Sequence, residues 1–320
     1  MKISVIIPVY NSSKTVERCL NAVYESDFKD FEVIVVDDCS NDHSVDRVKK
    51  FPCKIVCLRE NSGPAKARNV GAKNAKSEIL FFIDSDVILM KNALGEVYKS
   101  YNSPAVTSVI GIYSKEPAND GFFHQYMALW KYYTWMYPKP PKYFSFFIAS
   151  CGSIRKKDFD DLGGFNTEYK GADVEDYEFG YRLNKKNKIL FNPKIQGKHY
   201  HPDFKACARN YYKRASQWFK IFIKRKKFDT GAASASRGAS SMIALILIFV
   251  SASSFWLHQF SFAALALLGL FIFLNQGFYL MTLKEKGVEF MLRSIITNYV
   301  LSVIISMGVL KSVITYPFER

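Results

Sequence analysis

Two short apolar runs that each end in acid limit what this chain can fold into. Val35-Val36-Asp37-Asp38 and Phe82-Ile83-Asp84-Ser85-Asp86 close segments with the length and residue types of buried parallel strands. Carboxylates at the carboxyl ends of such strands face the crevice where open α/β sheets take their ligands. A D-x-D pair in that position suits a divalent cation bridging a diphosphate. Hard cations prefer oxygen ligands, and two close carboxylates repel each other without a cation. The pattern points to a transferase that uses a nucleotide.

Around these runs strand and helix alternate. Strands are expected at residues 3–8, 31–36, 55–58 and 79–83, and helices at 15–24, 42–50 and 64–75. Ser12 or Ser13 is the expected N-cap of the first helix, and Pro64 falls in the first turn of the third. This βαβαβαβ order specifies an α/β fold with a mostly parallel sheet covered on both faces.

The chain has 320 residues and a formal net charge of +15. Only five Lys/Arg and three Asp/Glu follow Gly238, so the basic excess sits in the preceding part. A basic part beside an apolar tail suits an anionic membrane face or an anionic substrate. No reading motif for nucleic acid accompanies the charge, which excludes nucleic acid from the expected partners. The six cysteines form no C-x-x-C pair and read as small buried hydrophobes with free thiols.

Residues 242–257 and 260–281 are almost free of charge, and 294–310 are apolar with Ser, Thr and Asn. The second is long enough to span a bilayer, and the flanking charges favour three spans. Lys224, Arg225, Lys226 and Lys227 precede the first, and Lys284, Lys286 and Arg293 follow the second. The positive-inside rule places both basic flanks in the cytosol, the 258–259 turn outside and the C-terminus outward. The first residues are too short for a signal peptide, so the remainder is expected in the cytoplasm, held at the plasma membrane. Residues 114–147 are crowded with aromatics and read either as a second core or as an acceptor groove or membrane-facing surface. Residues 208–227, including Trp218, suit a basic amphipathic helix at the lipid interface.

Several further residues carry chemistry. Asp38 can accept hydrogen bonds from a nucleoside or cap a helix. Asn61-Ser62-Gly63 opens a helix whose N-terminus favours anions, and Arg68 lies one turn in, within reach of a phosphate. A third acidic cluster, Gly171-Ala172-Asp173-Val174-Glu175-Asp176-Tyr177-Glu178, suits either a helix dipole or a catalytic base. His199 and His201 alternate along a strand and share a face, so either can join Asp86 at a metal.

The ordered set Ser4-Val5-Ile6-Ile7-Pro8-Val9-Tyr10-Asn11, Val36-Asp37-Asp38-Cys39-Ser40, Asn61-x-Gly63, Ala67-Arg68-Asn69-x-Gly71, Asp84-Ser85-Asp86, Gly163-Gly164-Phe165 and Glu175-Asp176 resembles family 2 glycosyltransferases with the GT-A fold. The resemblance implies an inverting, metal-dependent, hexosyltransferase-like enzyme. It would move a sugar from a nucleotide-diphosphate sugar to a hydroxyl acceptor, with Mg²⁺ or Mn²⁺. Pro8, Tyr10, Asp38, Asn61, Gly63, Arg68, Asp84 and Ser85 would then bind the nucleotide sugar. Asp84 and Asp86, with His199 or His201, would hold the metal, and Asp176 would be the general base. Gly164, Phe165, Glu175 and Trp218 would lie on the acceptor side.

The implied organisation is a GT-A domain at 1–230 followed by a membrane region at 231–320. The GT-A domain divides into a nucleotide-sugar-binding half, 1–112, and an acceptor half with the interfacial helix, 113–230. Residues 231–241 form the hinge. The Q-x-x-R-W stretch of processive members has only Arg214-Ala215-Ser216-Gln217-Trp218 near it, in another order, which favours transfer of a single sugar. The expected acceptor is lipid-linked or an envelope glycan at the cytosolic membrane face, and membrane lipids are the other partners. A nucleotidyltransferase would carry a glycine-rich loop where Tyr10-Asn11-Ser12-Ser13 stands. A non-catalytic membrane scaffold retaining the fold would not need Asp84, Asp86 and Asp176 intact.

Overall fold

A computed structural model of the chain describes residues 1–169, 174–229 and 234–316. Gly171, Ala172 and Asp173 of the third acidic cluster, the start of the expected hinge and the C-terminal residues 317–320 lie outside the described residues. The chain forms two compact units, Met1–Asp120 with Pro141–His201, and Gly121–Pro140 with Pro202–Arg320.

The strands of the first unit are β1 Ile3–Val9, β2 Phe31–Asp37, β3 Lys54–Cys57, β4 Ile79–Ile83, β5 Val87–Leu89, β6 Ser108–Tyr113, β7 Tyr143–Phe144, β8 Cys151–Arg155 and β9 Ile189–His199. Its helices are α1 Val16–Tyr24, α2 Ser44–Val48, α3 Pro64–Asn74, α4 Ala93–Ser100, α6 Lys156–Asp161 and α7 Glu175–Lys186. Among the described residues the strands form one nine-stranded sheet in the order β3-β2-β1-β4-β8-β6-β9-β5, with β7 on β9.

The half from β3 to β4 is parallel throughout, as the strand–helix alternation dictates. Beyond β4 that alternation stops and the sheet becomes mixed. β8 runs antiparallel between β4 and β6, β6 is parallel to β9, and β5 and β7 are antiparallel to β9.

Neighbouring residues of β4 feed two cores, because successive side chains point to opposite faces. Phe81 joins Val5, Ile7, Leu20 and Leu94 on the face covered by α1 and α4. Phe82 faces the other way, against Phe147, Phe159 and Phe165, and Phe179 of α7 packs on that cluster. Each such burial stabilises the fold by about 1.5–3 kcal/mol.

Helix α1 buries Val16, Cys19, Leu20 and Val23, the spacing of a one-sided helix. Its N-cap is Thr15, not Ser12 or Ser13. The Ser12 carbonyl accepts the amides of Thr15 and Val16, while its hydroxyl is engaged with the Tyr10 carbonyl and with Ser85.

The second unit holds α5 Phe122–Met136, α8 Phe204–Arg225, α9 Ala235–Ser253, α10 Gln259–Lys286 and α11 Val288–Thr315. Tyr126, Met127 and Leu129 of α5 are buried with Phe278, Tyr279 and Leu301, so the aromatic stretch supplies a core. Helix α8 is capped by Asp203, whose carboxylate accepts the Ala206 amide at 2.8 Å. Among the described residues three helices, α9, α10 and α11, are long and apolar enough to cross a membrane. Helices α10 and α11 extend past the apolar segments read from the sequence at both ends, while α9 begins earlier and ends at Ser253. Buried Asn298 and Ser312 give α11 polar contacts within the unit. Ser312 meets Ser216 of α8 at 2.7 Å, and Asn298 donates to the Tyr279 hydroxyl at 2.9 Å.

Gly180 lets α7 lie directly on the backbone of Phe146 and Phe147, where a Cβ would collide. Gly180→Ala should displace α7 and cost about 1–3 kcal/mol. The expected readout is a lower melting temperature for the detergent-purified protein, and an unchanged melt would show that the close approach carries no stability.

Candidate active site

The carboxyl edge of β1, β2 and β4 gathers most of the motifs. Helix α3 organises it. Arg68 is buried and donates from Nη2 to Asp84 Oδ1 at 2.8 Å and from Nη1 to Glu175 Oε1 at 2.9 Å. Burial works against the charged guanidinium, but Asp84 and Glu175 outweigh it and hold the pKa of Arg68 above its ordinary value. Its two ends are thus committed to carboxylates, where the sequence suggested a phosphate.

Asn69, the next residue, grips the Gly163-Gly164-Phe165 loop. Its Oδ1 accepts the Phe165 amide at 2.9 Å and its Nδ2 donates to the Phe165 carbonyl at 2.8 Å. Gly164, at φ +70, leaves room for that amide side chain. Arg182 of α7 holds the same loop, donating to the carbonyls of Leu162 and Gly164 while paired with Glu178. The Phe165 ring itself is buried among Phe82, Phe159 and Phe179. Glu175 is likewise buried in its ion pair. Both are therefore internal supports of the edge.

The neighbouring Asp176 opens α7 with Glu175 and Glu178, a first turn whose acidity suits the helix dipole. Its Oδ1 accepts the Tyr177 amide at 2.8 Å, and the Tyr177 ring stacks on Phe146 at 4.6 Å. These contacts orient the carboxylate.

On the other side of Asp84, Ser85 donates to the Ser12 hydroxyl at 2.8 Å. Asp86 Oδ1 lies 3.5 Å from His199 Nε2, because β5 and β9 pair with Val87 opposite His199. His199 Nδ1 is 3.1 Å from His201 Nδ1. A contact between two ring nitrogens uses one proton, so one imidazole donates and the other accepts. The backbone of His201 is fixed by Asn119, which accepts its amide at 3.1 Å and donates to its carbonyl at 2.8 Å. Tyr113 packs on His199 at 4.5 Å and bonds Ser150. Burial first, and then the charges of Asp84 and Asp86, hold the Tyr113 phenol well above its usual range. Nothing in the sequence around Asn119 or Tyr113 marks them for these roles.

The β2 end is closed by Asp38. Its Oδ1 and Oδ2 accept the amides of Ser62 and Gly63, both at 2.8 Å, and Asn61 Nδ2 lies 3.5 Å from its carbonyl. Asp37, the first acid of the same motif, uses Oδ2 to accept the Ser40 amide at 3.1 Å. Its Oδ1 is buried without a hydrogen-bond partner among the described residues. Pro8 sits in β1 opposite Val36, and Tyr10 is exposed just beyond that strand. Trp218 belongs to the second unit, where its indole donates to Asp229 at 3.2 Å.

Two cysteines flank the acidic motif, and burial with the nearby aspartates keeps both protonated. Cys19 is pushed up by burial, then by Asp86 and Asp84, and Cys151 is pushed up to about 12 by burial and Asp84. All six thiols are free. Among the described residues no three His, Cys, Asp or Glu side chains form a metal cage. The Asp86–His199 pair nonetheless offers an oxygen and a nitrogen donor side by side. That set fits a hard divalent cation completed by phosphate oxygens and water.

Arg68→Met should take the guanidinium away from buried Glu175 and from Asp84, at a cost of about 3–5 kcal/mol. Combining it with Glu175→Met should recover part of the loss, as read by urea unfolding. A double variant no more stable than the single one would show that Glu175 does not depend on Arg68.

The sequence model of the family described as Glycosyl transferase family 2 matches residues 4–163. The poly(ribitol-phosphate) beta-N-acetylglucosaminyltransferase TarS of Staphylococcus aureus is 45% identical over 101 residues, which are 29% of this chain and 18% of TarS. The chain thus spans less than a fifth of that relative. A crystal structure of S. aureus TarS 1-349 with UDP-GlcNAc superposes with a TM-score of 0.51 at 23% identity, over 70% of this chain and 67% of that one. The mannosyltransferase PcManGT from Pyrobaculum calidifontis, solved with GDP-Man and Mn²⁺, gives 0.58 at 16% identity, over 98% and 87%. At these identities the two structures share the fold.

Proposed function

The chain belongs to glycosyl transferase family 2, and we propose that it moves one sugar from a nucleotide-diphosphate sugar to a hydroxyl acceptor, with inversion at the anomeric carbon. The observation that carries this reading is the pair of contact chains that meet at the Asp84-Ser85-Asp86 motif, Glu175–Arg68–Asp84 and Asp86–His199–His201. Through Arg68 the motif is linked to the start of α7, which bears Asp176, and this supports a donor end and a base on one edge. TarS, named for poly(ribitol-phosphate) and solved with UDP-GlcNAc, favours a UDP-sugar donor and an envelope glycan or lipid-linked acceptor. The three apolar helices favour a multi-pass protein of the plasma membrane with the first unit in the cytoplasm.

In this reading the acceptor oxygen bonds to the anomeric carbon from the face opposite the diphosphate. The carbon–oxygen bond to the diphosphate breaks, its electron pair leaves with the diphosphate, and the acceptor proton passes to Asp176. The Tyr177 amide holds Asp176 in place for that transfer. A positioned base contributes about 10²–10⁴-fold. Mg²⁺ or Mn²⁺ held by Asp86 and His199 would neutralise charge on the leaving diphosphate. For His199 Nε2 to act as a ligand, its proton must sit on Nδ1 and be accepted by His201. His201 is thereby a positioning residue. In this reading Asp84, tied to Arg68, would belong to the donor end of the same edge.

Asp176→Asn should keep nucleotide binding and lower transfer by about 10²–10⁴-fold. Full activity in that variant would remove Asp176 from the role. Mn²⁺-dependent stabilisation by a panel of nucleoside diphosphates tests the donor end. Asp86→Ala should abolish it, and His201→Ala should weaken it by about 10–100-fold. No metal-dependent shift with any nucleotide, in protein shown to be folded, would sink the transferase reading in favour of a scaffold.

A further inference from the structure

The second unit holds a cation that the transfer chemistry does not use. Arg237 stands in the first turn of α9, half-buried, with its guanidinium over the rings of Trp130 at 4.3 Å and Tyr133 at 5.2 Å. It donates to Asn275 Oδ1 at 3.1 Å. Asn275 is itself aimed, because its Nδ2 donates to Ser240 at 2.7 Å and to the Phe271 carbonyl at 2.8 Å. Gly277 makes room for the Tyr133 hydroxyl, which a Cβ there would strike. The surroundings of the guanidinium are thus specifically built.

They lack one component. Among the described residues no carboxylate pairs with Arg237, and the first turn of α9 contains no acid. Aromatic faces return only part of what a cation loses on leaving water. Withdrawing a charge even partly from water is unfavourable unless an opposite charge meets it. The positive end of α9 adds to the same imbalance.

Further along the same helices lies an apolar groove of about 320 Å³, lined by Leu247, Ser251, Ala264, Leu265, Leu268 and Tyr299. Leu247 is ten residues beyond Arg237 on α9, about 15 Å along the helix axis. Arg237, Ala244 and Ser251 are spaced by seven, so they fall on one side of α9. Basic Lys224, Lys226 and Lys227 precede the helix. A cation at the start of a candidate span, with an apolar groove one chain segment deeper, has the layout of a lipid.

We propose that the second unit binds a phosphate-bearing anionic lipid, with the phosphate on Arg237 and a hydrocarbon chain in the groove between α9, α10 and Tyr299. The site rests on α9–α11 crossing a membrane and is independent of the transferase reading, so its test measures binding alone.

The full chain in detergent is titrated with short-chain phosphatidylglycerol, the matching diacylglycerol and inorganic phosphate, with binding read by native mass spectrometry and by melting. Phosphatidylglycerol should bind at least about tenfold tighter than diacylglycerol, the scale of a charge-assisted hydrogen bond. Arg237→Gln should erase that preference, and Arg237→Lys should keep part of it. Ala264→Phe, which fills the groove, should weaken phosphatidylglycerol while leaving inorganic phosphate unchanged. A folded Arg237→Gln protein that still prefers phosphatidylglycerol would overturn the site. If inorganic phosphate stabilises the wild type as strongly as the lipid, and Ala264→Phe changes neither, the lipid assignment is overturned in favour of a soluble anion. If Arg237→Gln does not fold, Arg237→Lys and Ala264→Phe decide, and full lipid binding in both overturns it.

Discussion

The buried guanidinium of Arg68 is the constraint on which the rest of the first unit's edge depends. It joins β4, through Asp84, to α7, through Glu175, and all three charges lose water on folding. Such a group depends on its partners being in place, because Arg68 or Glu175 left without the other is a buried charge that has lost its ion pair. The position of α3 therefore fixes the positions of the other two elements. Asn69 and Arg182 extend the same control to the glycine loop from opposite sides. The aromatic cluster of Phe82, Phe159, Phe165 and Phe179 then sets the floor under that loop.

Local chemistry made the first half of this architecture legible. Apolar runs of the right length, broken by Pro and Gly, mark β1 to β4, and those strands are parallel as an alternating order requires. The acids at their ends sit at the edge where a crevice forms. What the sequence does not carry is which side chain each polar group will meet. Arg68 and Glu175 are 107 positions apart, and Asn69 and Phe165 are 96 apart, so no spacing rule links them. An Arg one turn into a helix after a glycine reads as a phosphate contact until a buried acid arrives from elsewhere. Ser12 and Ser13 are likewise drawn away from capping α1, since Ser85 and Asp42 engage the local polar groups in a tertiary network. The antiparallel entry of β8 has no signature in periodicity at all.

The second unit obeys different rules. Its helices are apolar around most of their surface, yet their contacts carry Ser, Asn, Tyr and Gly. Where hydrocarbon is the surrounding solvent, apolar surface gives no drive to associate. Small residues and hydrogen bonds then decide which helix faces meet. The Ser216–Ser312 and Asn298–Tyr279 bonds are of that kind. Hydropathy marks these helices, whereas the polar seams arise only where residues far apart in sequence meet.

The loops at the carboxyl ends of β1, β2 and β3 are laced to one another before anything binds. Asn11 accepts the Asn41 amide and its own amide is received by Ser40, Ser44 accepts the Ser12 amide, and Asp38 receives Ser62 and Gly63. Asn11 and Cys39 are held at φ of 48° and 65°, conformations that a slack loop would abandon. The conformational entropy of these segments is thus lost on folding. A ligand entering this edge meets a cradle already set, so its affinity reflects the contacts it makes, with little deducted for ordering the protein around it.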